Sequence, residues 1–211
     1  MEKPDLSGAY ALNGPDDCRR LYANWAESYE TDFAQSMDYR LPAEVAAAFM
    51  RSSANEGDVL DVGAGTGLLA AALRGFGFQG AIDAVDLSAE MLATARDKGL
   101  YRDLIEADIT TPLPGGNRYS GIVSSGTFTH GHVGPGALVP LLSSAEKGAL
   151  VVLSVNLVVW EALDFKSAFD QLGTRIEGLS LTEVEIYGEA ARAKDPAHAS
   201  DHALIVRFYA T

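Results

Sequence analysis

The 211-residue sequence predicts a doubly wound α/β fold, with a mostly parallel seven-stranded sheet, an antiparallel hairpin at the C-terminal end and a helical cover at the N-terminus. Three observations carry this expectation. From about residue 56, short apolar strand patterns alternate with helical ones, which means parallel strands joined by right-handed crossovers. The first of those strands ends in three alternate glycines, Gly63, Gly65 and Gly67, and opens into a helix. The last two strand patterns follow each other with no helical pattern between them, as in an antiparallel pair.

Within 16–35, Leu21, Trp25, Tyr29 and Phe33 recur every fourth residue and form one stripe of a helix. Asp16 or Asp17 is placed to cap it, after the break at Gly14-Pro15. A second helix is expected from Pro42, a favoured first-turn residue, to about Ala54. Residues 1–55 make the cover and 56–211 the core, in one compact domain. Core strands are expected at 58–62, 80–85, 104–107, 119–124, 149–155, 181–187 and 203–209, and helices at 68–74, from Ser88, at 138–145 and at 165–176. The strand at 149–155 is unusually apolar and belongs near the middle of the sheet. Only a loop, 188–202, separates the last two strands.

Composition narrows the functional classes. Sixteen Lys and Arg against 29 Asp and Glu give a formal net charge of −13. That argues against a nucleic-acid partner, because phosphate neutralisation needs clustered basic residues. With 47% hydrophobic residues over this length, the chain buries enough apolar surface to fold without a disulfide or metal staple. Its single cysteine, Cys18, cannot form an internal bridge, which fits a reducing compartment. No signal peptide is legible in the first residues. The longest apolar stretch, 148–160, is broken by Ser154 and Asn156 and is shorter than the ~20 residues of a membrane span. A cytoplasmic protein with no membrane partner is expected; oligomeric state has no signal in the sequence.

The glycine turn is the strongest local feature. Gly63, Gly65 and Gly67 permit positive φ and let a ligand lie against bare backbone. With Ala64 and Thr66 between them, they lead into a helix whose free N–H groups favour an anion. Residues 65–70 also fit the dinucleotide pattern GxGxxA, and Asp86, ~20 residues on at the end of the second strand, suits a ribose diol in either reading. Three features tilt away from a dinucleotide: Asp61 inside the first strand, Asp108 after the third, where an adenine amino group could be held, and the helices that precede the first strand.

As a set, VLDVGAGTG (59–67), AVDLSAEMLATA (84–95), EAD (106–108) and YSGIVSSG (119–126) resemble the motifs of the Rossmann-like class I S-adenosylmethionine-dependent methyltransferases. YANWAESYETDF (22–33), YRLP (39–42), KGLYRDL (98–104) and TFTHGHV (127–133) extend the resemblance to the methyltransferase-like 27 (Williams–Beuren region) type and its bacterial relatives. The resemblance implies S-adenosyl-L-methionine as cofactor. It implies that Gly63, Gly65 and Gly67, with Ala64 and Thr66, wrap its methionine part, with Asp61 near the amino group. Asp86 would hold the ribose hydroxyls, Leu87 and Met91 would pack on the adenine, Asp108 would accept from its amino group, and Ile109 would lie beside the ring. Ser125 would line the floor, and Arg40, Tyr22 and Tyr29 would meet the carboxylate end from the cover. One departure is that Ser120-Gly121 follow Tyr119, where the family often has an Asp.

His130 and His132 follow the fourth strand, and their ordinary pKa near ~6.5 suits a general base; loop histidines holding backbone carbonyls are the alternative. A metal is not expected, since no third ligand is nearby in sequence. Arg40 offers a planar fork that matches a carboxylate, or else is a surface arginine beside Asp38. Trp160 could wall an acceptor pocket or be an ordinary buried aromatic. The expected activity is methyl transfer to a small-molecule acceptor, giving S-adenosylhomocysteine. A protein or peptide methyltransferase, a non-catalytic S-adenosylmethionine-binding module and, lowest, an NAD oxidoreductase are the alternatives.

Overall fold

The structure, a computed structural model, describes residues 8–9, 12, 14–26, 28–52, 57–116 and 118–211. Its centre is a seven-stranded sheet in the order β3-β2-β1-β4-β5-β7-β6. Strands β1 (Val59–Val62), β2 (Ile82–Asp86), β3 (Leu104–Glu106), β4 (Tyr119–Phe128) and β5 (Ala145–Asn156) run parallel. β7 (His202–Ala210) inserts antiparallel between β5 and the edge strand β6 (Ile176–Glu185). β1 is buried along its whole length because both sheet faces are covered, which is why it reads as a continuous apolar run broken only by Asp61. Strand order reverses between β1 and β4, the place where an open α/β sheet leaves a crevice at its carboxyl edge.

Side chains alternate between two cores. On β5, Leu150 and Val152 face one cluster, and Val151, Leu153 and Val155 the other. The first cluster is built with α2 (Leu41–Ser52), α3 (Leu68–Gly75) and the aromatic residues of the N-terminal segment. The second is built with α5 (Leu138–Leu142), α6 (Leu157–Ala162) and α7 (Phe165–Leu172). α4 (Ala89–Asp97) begins at Ser88, whose hydroxyl accepts a hydrogen bond from the Met91 amide.

Several elements differ from the sequence expectation. The single helix at 16–35 is two pieces: α1 (Pro15–Trp25) and a π-helical turn, Glu30–Gln35. Packing sets this wider turn, since Trp25, Tyr29 and Phe33 all touch one another at centroid distances of 5.1–5.4 Å. Gly14 takes the cap position of α1 with Pro15 following it, while Asp16 and Asp17 lie in the first turn and pair with Arg19 and Arg20. The apolar stretch 148–160, to which only the strand 149–155 was assigned, continues into α6, capped by Asn156, whose side-chain oxygen accepts from Val158 and Val159. Segment 188–202 contains a short helix, α8 (Glu189–Lys194). The helices expected at 138–145 and 165–176 end earlier, at Leu142 and Leu172. Among the described residues, no helix is long and apolar enough to cross a membrane.

Candidate active site

The glycine turn sits at the carboxyl end of β1. The Gly63 and Ala64 amides both donate to the Val85 carbonyl, at 2.8 and 3.1 Å, which ties the end of β1 to that of β2. Gly63 has φ +65°, and a Cβ there would stand 2.0 Å from the Thr127 hydroxyl, so backbone and space both demand glycine. Gly65 has φ +53°, and a Cβ there would meet nothing within 4 Å: its outer face is open to a ligand.

The Gly65 amide donates to Asp86 Oδ2 at 2.8 Å, and the Ser88 amide donates to Oδ1 at 2.9 Å. Burial pushes the Asp86 pKa up, and these amide bonds oppose that shift. The carboxylate is thereby fixed in orientation at the edge of the turn.

A pocket of about 1070 Å³, open mouth included, lies over these groups. Gly63, Ala64, Gly65 and Thr66 form one wall, Asp86, Leu87 and Met91 the next. Asp108 and Ile109 follow β3, Ser125 comes from β4, and Tyr22 and Tyr29 close the pocket from the N-terminal side. Its mixed polar and apolar lining suits a small organic ligand.

Three expected residues lie off the wall. Gly67 is behind the turn, where a Cβ would press on the Tyr101 ring at 3.1 Å. Asp61 is beneath it, 1% exposed, with Oδ2 accepting from the Tyr101 hydroxyl at 2.6 Å. Its Oδ1 is buried with no hydrogen-bond partner among the described residues. Burial raises the Asp61 pKa to about 7; the Tyr101 bond works against this and repulsion from Asp86 adds to it. Arg40 is not at the pocket: its guanidinium is held by Glu185 at 3.1 Å and Asp38 at 3.5 Å. The arginine on the pocket wall is Arg19, which the sequence reading passed over because only its exposed partner Asp16 is close in the chain.

The two histidines separate. His132 lines the pocket, its Nδ1 lies 2.5 Å from the His130 carbonyl and its Nε2 2.9 Å from the Tyr22 hydroxyl. A carbonyl can only accept, so Nδ1 carries the proton and Nε2 accepts from Tyr22. Burial holds the His132 pKa below its ordinary value, which favours this neutral form. His130 does not line the pocket; the charges it feels are those of Asp201 and His198 in segment 188–202. Trp160 packs flat on Phe165 on the opposite sheet face, 5.8 Å between centroids, and walls nothing here. Cys18 does line the pocket, but burial, with Asp17 adding to it, pushes its thiol to about 11, far from a reactive thiolate. Among the described residues no group of three His, Cys, Asp or Glu is placed to hold a metal.

Three supporting residues lie within the quoted motifs but had no role assigned from the sequence. Tyr101 reaches Asp61 across 40 positions. Thr127 and Ser124 hydroxyls both donate to the Val62 carbonyl, at 3.0 and 2.7 Å, and lock the end of β4 to that of β1.

Known proteins resemble this chain in sequence and in fold. A family described as a methyltransferase domain matches residues 59–148. Human methyltransferase-like protein 27 is 31% identical over 176 residues, spanning 80% of this chain and 70% of the relative. Among solved structures, magnesium protoporphyrin IX methyltransferase (ChlM) from Synechocystis PCC 6803 with bound SAM superposes with TM-score 0.66 at 18% identity, over 95% of this chain and 99% of that one. A TehB-like SAM-dependent methyltransferase from Corynebacterium glutamicum gives 0.61 at 18% identity, over 90% and 98%. At that identity the structural likenesses concern the fold.

Proposed function

The chain belongs to the class I S-adenosylmethionine-dependent methyltransferases, and from that membership we propose that it methylates a small-molecule acceptor and releases S-adenosylhomocysteine. The observation that carries the cofactor's placement is the Asp86 carboxylate, held at the pocket edge by the Gly65 and Ser88 amides over an unobstructed Gly65. Asp86 would accept from the ribose hydroxyls and Asp108 from the adenine amino group, between Leu87, Met91 and Ile109. The methionine end would lie on Gly63–Thr66, where the buried Thr66 hydroxyl has no partner among the described residues. Arg19, rather than Arg40, would reach its carboxylate. When bound, the cofactor supplies an electrophilic methyl group; the protein supplies orientation at close range.

An acceptor that must lose a proton needs a base. Tyr22 touches the pocket and passes its hydroxyl hydrogen to His132 Nε2, so the pair could relay a proton away from the acceptor. His130 has no part in that relay beyond the carbonyl that orients the ring. A small acceptor is favoured over a peptide because the cavity beside the cofactor pocket is lined by aromatic side chains, and no described residue of 188–202 lines it. A cytoplasmic setting, read from the single cysteine, belongs to the same proposal.

Calorimetric titration with S-adenosylmethionine across pH tests the placement over Asp61. A cation above the turn favours the Asp61 carboxylate, so binding near neutrality releases a proton. With a pKa of about 7 in the free protein, affinity should fall several-fold between about pH 7.5 and about pH 6, and this slope should vanish in Asp61→Asn. The same raised pKa means that ligand-free stability from this group is greatest at low pH and is lost as pH rises through about 7. A slope identical in wild type and Asp61→Asn would remove Asp61 from the binding site.

A further inference from the structure

A second cavity, of about 480 Å³ with its open mouth included, adjoins the first and shares Tyr22, Tyr29, Tyr39, Gly126 and His132 in its walls. Resting on the reading above, we propose that it is the methyl-acceptor subsite, and that it is built for a neutral hydroxyaromatic molecule with a second oxygen at its far end.

The walls decide the ring. Trp25, Phe33 and Tyr187 add three aromatic side chains to Tyr22, Tyr29 and Tyr39, with Phe33 edge-on to Tyr187 at 6.0 Å and tilted on Trp25 at 5.4 Å. Such surfaces take a flat ring by stacking and edge contacts. Among the described residues no Lys, Arg, Asp or Glu lines the cavity, so neither a carboxylate nor an ammonium would find a counter-charge among them.

The floor decides the oxygen. Ser154 and Asn156 are two apart on β5 and therefore point to the same face. Asn156 is 3% exposed and spends its side-chain oxygen on the Val158 and Val159 amides. That cap fixes its orientation and leaves its NH2 donors to give. Ser154 is 1% exposed and accepts from the Gly126 amide at 2.9 Å, which leaves its own hydroxyl hydrogen to give. Two buried donors at the base of an apolar box call for an oxygen that accepts.

The shared wall decides the chemistry. Tyr22 and His132 stand between the cavities, so an acceptor hydroxyl lying beside Tyr22 faces the cofactor pocket. In the transfer, that oxygen forms a bond to the methyl carbon as the carbon–sulfur bond breaks, with the electron pair staying on sulfur. The hydroxyl proton passes to Tyr22 as the Tyr22 proton passes to His132 Nε2.

The test is calorimetric titration of the S-adenosylhomocysteine-saturated protein with three related molecules. 4-Hydroxyacetophenone is neutral and carries a carbonyl opposite its hydroxyl; 4-hydroxybenzoate is its anionic counterpart and tyramine a cationic one. The neutral compound should bind one-to-one, and the two ions should bind more weakly by about tenfold or more. Asn156→Asp keeps the capping oxygen but replaces the donor with an acceptor. It should weaken 4-hydroxyacetophenone by about tenfold or more while S-adenosylhomocysteine affinity stays unchanged. Equal binding of either ion, or no binding of the neutral compound to protein that does bind S-adenosylhomocysteine, would overturn the assignment. The three-compound ranking on wild-type protein stands whether or not the variant folds. Failure to bind S-adenosylhomocysteine would overturn the cofactor reading itself, and this assignment with it.

Discussion

Replacing Asp86 with Ala is expected to weaken S-adenosylhomocysteine binding by about 10²–10⁴-fold. A carboxylate that accepts from both ribose hydroxyls makes two charge-assisted hydrogen bonds, each worth about 1.5–3 kcal/mol. Asp86 is set for this, because its own amide donors, Gly65 at 2.8 Å and Ser88 at 2.9 Å, fix the carboxylate before any ligand arrives. The folded state should tolerate the change. Burial already disfavours the Asp86 charge, and the Gly65 amide released lies on the open face of the pocket. Thermal denaturation of Asp86→Ala should therefore stay close to wild type while calorimetry shows the affinity lost. Asp86→Asn, which keeps one accepting oxygen, should fall between the two. A loss smaller than about tenfold in Asp86→Ala would mean that the ribose is held elsewhere.

Asp83→Ala should have the opposite profile, a large loss of stability. Asp83 is fully buried on β2, and its two oxygens take Arg102 Nε at 2.9 Å and Nη2 at 2.6 Å in a forked pair. The buried Tyr119 hydroxyl donates to it at 2.9 Å, and the Asp103 amide at 3.2 Å. Removing the carboxylate strands Tyr119 in the core; Arg102, which is half-exposed, can turn to water. Breaking a buried pair costs about 3–5 kcal/mol, and the freedom of Arg102 places this one at about 3. Against a total stability of about 5–15 kcal/mol, such a loss is large. Urea denaturation should show a lower midpoint with an unchanged slope. A change below about 1 kcal/mol would show that the Asp83 cluster contributes little.

The same cluster explains the departure in the fourth motif. Tyr119 is not followed by an aspartate, yet its hydroxyl still ends on a buried one, Asp83 on the neighbouring side of the sheet. Ser120 takes over the local connection by donating to the Asp58 carbonyl. Gly121 could carry no side chain in any case, since a Cβ would stand 2.6 Å from the Phe49 ring. Such substitutions of one network by another are invisible to a reading that looks along the chain.

What was legible followed from local periodicity and turn chemistry. All seven strands appear; β1, β2, β4, β5 and β7 are largely buried apolar runs, whereas β3 and the edge strand β6 are mostly exposed or half-buried. The glycine turn and the strand-end carboxylates Asp86 and Asp108 come together because parallel strands bring their carboxyl ends to one edge. What was missed depends on packing between distant segments. The stripe from Leu21 to Phe33 is helical in spacing, but aromatic contacts widen its second half into a π turn. Helix α6 was hidden because an apolar run gives no mark where strand becomes helix except Asn156, a cap that also reads as a polar break. Arg40 and Arg19 are alike in sequence; only the fold sends one to Glu185 and the other to the pocket. Tyr101 under the turn is likewise a tertiary partner with no local signal.

The measurement that tests the central claim most directly is calorimetric titration of the purified wild-type protein with S-adenosylmethionine, S-adenosylhomocysteine and NAD. The pocket over Gly63–Thr66 and Asp86 predicts one-to-one, micromolar binding of the first two and none of NAD. Binding of NAD without either sulfur compound would contradict it and return the glycine turn to a dinucleotide.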